Sequence, residues 1–195
     1  MVMKILVTGG SGFVGSNIAI YLKKHLQKAK IFSLDNLSRR GSILNKQRLS
    51  KHKIPNYKIG IENFKKINSL TKFDLIIDCC AEPAIEASRK DPDRVFNTNL
   101  IGTFNILKKC VKDKSRIIFL SSSRVYSIFE LKKLVRAKNI LKPIRVKKLI
   151  DENFPTSSPS SLYGFTKLAS EKLIQEMSLN NSLKFLINRF GVIAG

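Results

Sequence analysis

The chain is short of acids, cysteines, histidines and long apolar runs, and each shortage removes a class of function. Of its 195 residues only 14 are Asp or Glu, against 36 Lys or Arg, for a formal net charge of +22. Its three cysteines, Cys79, Cys80 and Cys110, lack metal-ligand spacing, and two of them are adjacent. Buried thiols in a reducing, cytoplasmic setting are therefore expected, with neither a disulfide nor a metal site. The two histidines, His25 and His52, sit in polar surroundings and read as surface residues without a catalytic role. No apolar stretch is long enough to cross a bilayer, so no membrane partner is expected. The N-terminus runs directly into an apolar strand, so no signal peptide is expected. Linkers, repeats and low-complexity tracts are also missing, and one α/β domain over residues 1–195 is the expectation.

The excess of positive charge admits two readings. A nucleic-acid or anionic partner is one. Lysines outnumber arginines, however, and are scattered over helix faces with no Arg-rich stripe between aromatics. That pattern favours solvated lysines over nucleic-acid binding, while a basic field still attracts a phosphorylated small molecule.

What the chain does have begins at its N-terminus. The apolar run Ile5-Leu6-Val7 leads into Thr8-Gly9-Gly10-Ser11-Gly12-Phe13-Val14-Gly15. A buried strand, a glycine-rich turn and a helix N-terminus together can receive a dinucleotide pyrophosphate. Gly9 permits the turn, Gly12 lets the backbone approach the phosphates, and Gly15 lets the helix pack against the strand. Val14, Ile18, Ala19, Tyr21 and Leu22 then recur at helical spacing before a Lys-rich end. A second apolar run, Ile31 to Leu34, ends in Asp35, twenty residues past Gly15, where an acid can accept the ribose hydroxyls.

The alternation of strand and helix continues. A short helix is predicted around Ile43 to Leu49, and strands over Tyr57–Ile61 and Phe73–Cys80. A long helix follows from about Asp93 to Val111, then a strand over Arg116–Ser121. Residues 127–150 form a Lys-rich insertion in which Phe129 to Leu134 looks helical. A helix over Tyr163–Leu179 and a strand over Lys184–Arg189 complete the pattern. The expected fold is α/β, a doubly wound parallel sheet with its ligand at the carboxyl ends of the strands.

Those strand ends carry the candidate chemistry. The fifth strand finishes in Ser121-Ser122-Ser123-Arg124-Val125-Tyr126, and the last long helix opens with Tyr163-Gly164-Phe165-Thr166-Lys167. Tyr163 and Lys167, four apart, share a helix face. An ammonium near the phenol is expected to lower its pKa, so that the phenolate can take a proton from an alcohol held by a serine hydroxyl.

These motifs, in this order, resemble the extended short-chain dehydrogenase/reductases, specifically the NAD-dependent epimerase/dehydratase family. The resemblance rests on the glycine loop, Asn99-Leu100-Ile101-Gly102-Thr103, the serine strand end, the Tyr163/Lys167 pair and Arg189-Phe190-Gly191-Val192. It covers essentially the whole chain. It implies catalytic roles for Ser122, Tyr163 and Lys167, with Ser121 and Ser123 remaining open as the serine. For NAD it implies contacts from Thr8, Gly9, Gly12, Phe13, Val14, Gly15, Asp35, Asn36, Ser38, Arg39, Ile61, Ala81 and Asn99, and again from Tyr163 and Lys167. Glu82, Ser123, Arg124 and Arg189 are the candidate substrate contacts, although Arg189 also reads as an ion-pair partner at a strand end. No metal is expected.

Within that family, Asp35-Asn36-Leu37-Ser38-Arg39-Arg40-Gly41-Ser42 is most similar to the CDP-paratose/CDP-tyvelose 2-epimerases. The implied reaction is transient oxidation of a sugar hydroxyl to a ketone and return of hydride to the opposite face. The implied partners are a nucleotide sugar, with a CDP-sugar first, and a second copy of the chain in a homodimer. A reductase or dehydratase of the same family, or a non-catalytic NAD-binding remnant, is the alternative. Ser123-Arg124 stands where a dehydratase carries Asp-Glu. Gly60-Ile61 replaces the family's Asp-Ile, and Asp78 its histidine. Asp35 repels the 2′-phosphate of NADP, whereas Arg39 and Arg40 could accept it. The chain stops at Gly195 on an apolar stretch, so a substrate-binding region beyond it is expected to be missing.

Overall fold

The computed structural model describes residues 2–83, 85–136, 150–157 and 161–193. Six strands form one parallel sheet: β1 (Lys4–Thr8), β2 (Lys30–Leu34), β3 (Asn56–Tyr57), β4 (Leu75–Asp78), β5 (Arg116–Ser122) and β6 (Phe185–Phe190). Their order is β3-β2-β1-β4-β5-β6. The chain thus winds outward from β1 in one direction, then returns to its other side and winds the opposite way. The strand order reverses between β1 and β4, and the crevice outside the carboxyl ends lies there. Thr8, Leu34 and Asp78 sit in register across the three neighbouring strands.

The central strands are apolar on both faces because helices cover both. Along β1 the side chains alternate. Leu6 joins a core with Leu34, Phe73, Ile76, Ile106 and Phe119, while Ile5 and Val7 join another with Ala19, Ile31, Leu49 and Ile77. Each fully buried aliphatic side chain stabilises the fold by roughly 1.5–3 kcal/mol.

The helices are α1 (Phe13–His25), α2 (Ser42–Lys51), α3 (Phe64–Asn68), α4 (Ile85–Lys90), α5 (Pro92–Phe96), α6 (Gly102–Asp113), α7 (Ile128–Arg136) and α8 (Leu162–Asn181). Residues Asn97–Ile101 form a π-helical turn joining α5 to α6. The single helix expected from Asp93 to Val111 is therefore interrupted at Asn99. β3 is two residues long where five were expected, since Ile59 and Ile61 turn inward as cleft wall instead of pairing further. The short helices α3 and α4 have too few turns to show a period in sequence. Of the Lys-rich insertion, residues 137–149 lie outside the described residues, and α7 contains the helix expected at Phe129 to Leu134.

Candidate active site

The strand ends of β1, β2, β4 and β5 open onto one cleft of about 370 Å³. Its floor is the turn after β1. Gly9 adopts φ 58°, the left-handed region that side chains disfavour. A Cβ there would stand 2.9 Å from the Cys79 carbonyl oxygen and the Cys80 Cα. A Cβ on Gly15 would overlap the Gly9 carbonyl and stand 2.9 Å from the Gly10 Cα. The Gly12 N–H donates to Gly9 O at 2.9 Å and closes the turn. Gly12 also caps α1, which has no side-chain cap, so the first turn of a thirteen-residue helix faces the cleft with its N–H dipoles. Gly9, Gly12, Phe13, Val14 and Gly15 all line the cleft. Thr8 does not. It is buried, and its hydroxyl donates to Asp78 Oδ1 at 2.5 Å, so it ties β1 to β4 beneath the turn.

Asp35 follows β2 at the cleft rim. Its Oδ2 accepts the Ser11 N–H at 3.1 Å and its Oδ1 the Leu37 N–H at 2.8 Å, which fixes the carboxylate against the glycine turn. Asn36, Ser38 and Arg39 line the same edge, and Asn36 Oδ1 accepts the Ser38 N–H at 3.0 Å. Asn56, which sequence reasoning missed, donates to the Asp35 carbonyl and accepts from the Ser33 hydroxyl. On the apolar wall, Ile61 is joined by Glu62, whose carboxylate folds over Gly60.

Beyond β4, Cys79, Cys80, Ala81 and Glu82 form the opposite rim. Burial pushes both thiols far above their ordinary pKa, with Asp78 adding to the shift, so neither is a thiolate nucleophile. Among the described residues no His/Cys/Asp/Glu cluster could hold a metal ion. The buried Asp78 also accepts the Thr103 hydroxyl at 3.1 Å and the Cys80 N–H at 3.3 Å. Glu82 is paired with two arginines, Arg39 at 2.7 Å and Arg94 at 3.0 Å.

Asn99, expected to touch cofactor, does not line the cleft. It is fully buried, and its side-chain amide is engaged by protein: Oδ1 accepts the Glu82 N–H at 2.7 Å, and Nδ2 donates to Glu82 O and Thr166 Oγ1, both at 3.2 Å. The π-helical turn aims it inward at the β4 loop, where it acts as a positioning residue.

The alternation of β5 separates the serines. Ser121 Oγ donates to Glu171 Oε1 at 2.5 Å and is thereby occupied. Ser122 and Tyr163 both line the cleft, and the Ser122 Oγ accepts the Arg124 N–H at 3.1 Å. Ser123 is half-buried and Arg124 exposed, and neither lines the cleft. Helix α8 starts where Ser161 Oγ accepts the Gly164 N–H at 3.1 Å, which places Tyr163 in the first turn over the cleft. Burial raises the Tyr163 pKa, opposed by the Ser122 hydrogen bond and the Arg124 charge.

The expected effect of Lys167 on that phenol does not appear here. Lys167 is buried below the cleft, donates from Nζ to the Leu120 carbonyl at 2.9 Å, and stands 4.4 Å from the Phe119 ring centre. Burial lowers its own pKa, against the opposing pull of Asp78. Arg189 is the strand-end ion-pair partner that one reading of the sequence expected. Its guanidinium holds Glu171 through Nε at 3.0 Å and Nη2 at 2.7 Å, and donates to Glu152 O at 2.8 Å. It lies outside the cleft lining, to which Phe190, Gly191 and Ile193 contribute instead.

The cradle and donor set fit a dinucleotide: two glycines at which any side chain would collide with backbone, a helix N-terminus without a side-chain cap, and an acid just after β2. A phenol, a serine hydroxyl and a lysine gather at the far end of the same cleft. That arrangement can remove a proton from an alcohol beside a bound dinucleotide.

Comparison with known proteins agrees. The chain is 29% identical over its whole length to the dTDP-D-glucose 4,6-dehydratase of Dictyostelium discoideum, of which it covers 44%. It is 28% identical over 99% of its length to the UDP-glucose 4-epimerase of Halalkalibacterium halodurans, covering 52% of that protein. Over 136 residues, 66% of the chain, it is 31% identical to the CDP-paratose 2-epimerase of Salmonella typhi and covers 39% of it. The chain thus spans about half the length of the curated relatives it matches. Its fold is that of the UDP-Glc/GlcNAc 4-epimerase from Campylobacter jejuni, at TM-score 0.78 and 24% identity over 96% of this chain and 53% of that one. The UDP-glucuronic acid 4-epimerase from Bacillus cereus, solved in complex with NAD, shares it at TM-score 0.77 and 23% identity over 99% of this chain and 58% of that one. Residues 5–195 match the family model for the NAD dependent epimerase/dehydratase family. With the glycine cradle and the Ser122–Tyr163 pair in one cleft, the chain belongs to that family, whose cofactor is NAD.

Proposed function

We propose that this chain is the cofactor-binding and proton-transferring part of a nucleotide-sugar epimerase, cytoplasmic and homodimeric, acting on a CDP-sugar in the manner of the CDP-paratose 2-epimerases. The carrying observation is that Ser122 and Tyr163 line one cleft, at the far end of a dinucleotide cradle. Bound NAD supplies a reversible acceptor for hydride from the carbon whose hydroxyl is being oxidised. Ser122 orients that hydroxyl, and Tyr163 Oη takes its proton as the ketone forms. The sugar then presents its other face, and Tyr163 returns the proton as the alcohol is restored. Reaching the phenolate requires help, because burial alone holds the Tyr163 proton. Arg124, whose charge favours the phenolate, and Ser122 provide it. On this reading Lys167, which lines the cleft and bonds to Leu120 O, supports a ribose hydroxyl.

The similarity to the Salmonella typhi enzyme and the Asp35–Ser42 segment favour a CDP-sugar. Dehydration is disfavoured by Ser123-Arg124, since neither side chain offers a carboxylate to the cleft. The test is a redox balance on protein isolated from its own source. Conversion of a CDP-sugar with no net change in NADH is the expected result. Stoichiometric consumption of NADH would make it a reductase, and failure to convert any CDP-sugar while converting a UDP- or dTDP-sugar would remove the substrate assignment.

A further inference from the structure

Arg39 and Glu82 reach each other across the cleft from the two strands that flank β1. Arg39 lies in the loop after β2, four residues past Asp35, and Glu82 lies in the loop after β4. Arg39 Nη2 stands 2.7 Å from Glu82 Oε1, and Arg94 Nη2 stands 3.0 Å from Glu82 Oε2, so each carboxylate oxygen has its own guanidinium. The Glu82 side chain is only 9% exposed, whereas that of Arg39 is 49% exposed. The acid is therefore the fixed partner and the arginine the movable one.

Glu82 is fixed by its backbone as well. Asn99 accepts its N–H at 2.7 Å and donates to its carbonyl at 3.2 Å. The Asn99 carbonyl is itself held by the hydroxyls of Thr103 at 2.8 Å and Ser170 at 3.2 Å. The residue is thus clamped from behind by α6 and α8, and its carboxylate is presented to Arg39 in one position.

We propose that Glu82 sets the choice between NAD and NADP by withholding Arg39 from the adenosine ribose. The proposal rests on the reading of the cleft as a dinucleotide site. Asp35, held by the Ser11 and Leu37 N–H groups, places one negative charge where the 2′ position of a ribose would lie. Arg39 is the cation on that rim able to offset a 2′-phosphate, since Arg40 is exposed and outside the cleft lining. Drawing Arg39 onto a phosphate breaks its charge-assisted bond to Glu82 and leaves a second carboxylate beside the dianion. A 2′-hydroxyl imposes neither cost. Arg39, which the sequence allowed to accept a 2′-phosphate, is thereby turned toward NAD.

The test is calorimetric titration of the wild-type chain, Glu82→Gln and the double variant Arg39→Ala/Glu82→Gln with oxidised NAD and NADP. Glutamine preserves the shape and backbone bonds of Glu82 while removing the charge. In Glu82→Gln the ratio of the NADP to the NAD dissociation constant is expected to fall about tenfold, the effect of one charge-assisted hydrogen bond gained by the phosphate. In the double variant the ratio is expected to return to the wild-type value. Should Glu82→Gln not fold, Glu82→Ala, which also removes the carboxylate, carries the same test with a shift in the same direction. An unchanged ratio with intact NAD binding overturns the role of Glu82 and leaves the cofactor reading standing. A shift that survives loss of Arg39 overturns it equally. If the wild-type chain binds neither nucleotide, the cofactor reading falls and this inference with it.

Discussion

Lys109 and Lys167 are buried to the same extent, each 1% exposed, yet the regions around them are built in opposite ways. At the edge of β4, Lys109 Nζ meets Asp113 Oδ1 at 2.9 Å and the Leu70 carbonyl at 3.0 Å. The other Asp113 oxygen accepts the Phe73 N–H at 3.0 Å. Every charge there has a direct partner. Under the cleft, Lys167 has a neutral carbonyl at 2.9 Å and a ring face, and the Asp78 charge acts on it as well. Burial accordingly lowers the pKa of Lys167. A buried lysine with a carboxylate locks two elements together. Lys167, without one, lies in the lining of the cleft.

The largest expected effect would break this contrast on the Lys109 side. Lys109→Met leaves Asp113 buried and uncompensated, and urea unfolding should show a loss of about 3–5 kcal/mol with an unchanged m-value. Adding Asp113→Leu should restore most of it, because the pair as a whole repays little more than its desolvation. A loss of under about 1 kcal/mol in the single variant would mean that the pair does not hold the edge.

Lys167→Met should do the reverse. It should cost about 1 kcal/mol of stability or less, since the hydrogen bond lost is to a neutral group, while NAD affinity measured by calorimetry falls about tenfold. Equal losses of stability for the two methionine variants would erase the distinction.

The pH dependence sharpens it. With its folded pKa below the ordinary lysine value of 10.5, Lys167 sheds its proton in the native state first, so the unfolded state binds more protons in between. Its contribution to stability is therefore most unfavourable below the folded pKa and improves as pH rises toward 10.5. Wild-type stability minus that of Lys167→Met, followed by chemical denaturation across alkaline pH, should rise through that window.

The smallest expected change concerns the phenol. Ser122→Ala removes a hydrogen bond that favours the phenolate, so Tyr163 should titrate still higher in ultraviolet difference spectra. Arg124→Gln should move it the same way by removing a favourable charge. A downward movement in either variant would contradict the roles given to these residues.

Most of the fold was legible because its determinants are local. The run Ile5–Val7, the glycine spacing and the helical recurrence of Val14, Ile18 and Leu22 lie within one stretch of chain, and β1, the turn and α1 form there. Elements too short to show a period were not legible: α3, α4 and the true length of β3 depend on what packs above them. The π-helical turn at Asn97–Ile101 was equally hidden, because a side-chain period does not reveal one extra residue in a turn.

The candidate site divides along the same line. Sequence alone determined that a glycine cradle, an acid after β2, a serine strand end and a Tyr163/Lys167 pair occur in the order that a doubly wound sheet brings to one edge. Only the tertiary structure decided which serine meets the phenol, that Lys167 bonds to Leu120 and not to Tyr163, that Asn99 clamps Glu82, and that Arg189 pairs with Glu171. Those outcomes depend on contacts between residues 17 to 47 positions apart in the chain. Periodicity and spacing describe how a segment folds on itself, whereas the partner of a buried polar group is set by whichever segment the sheet order places against it.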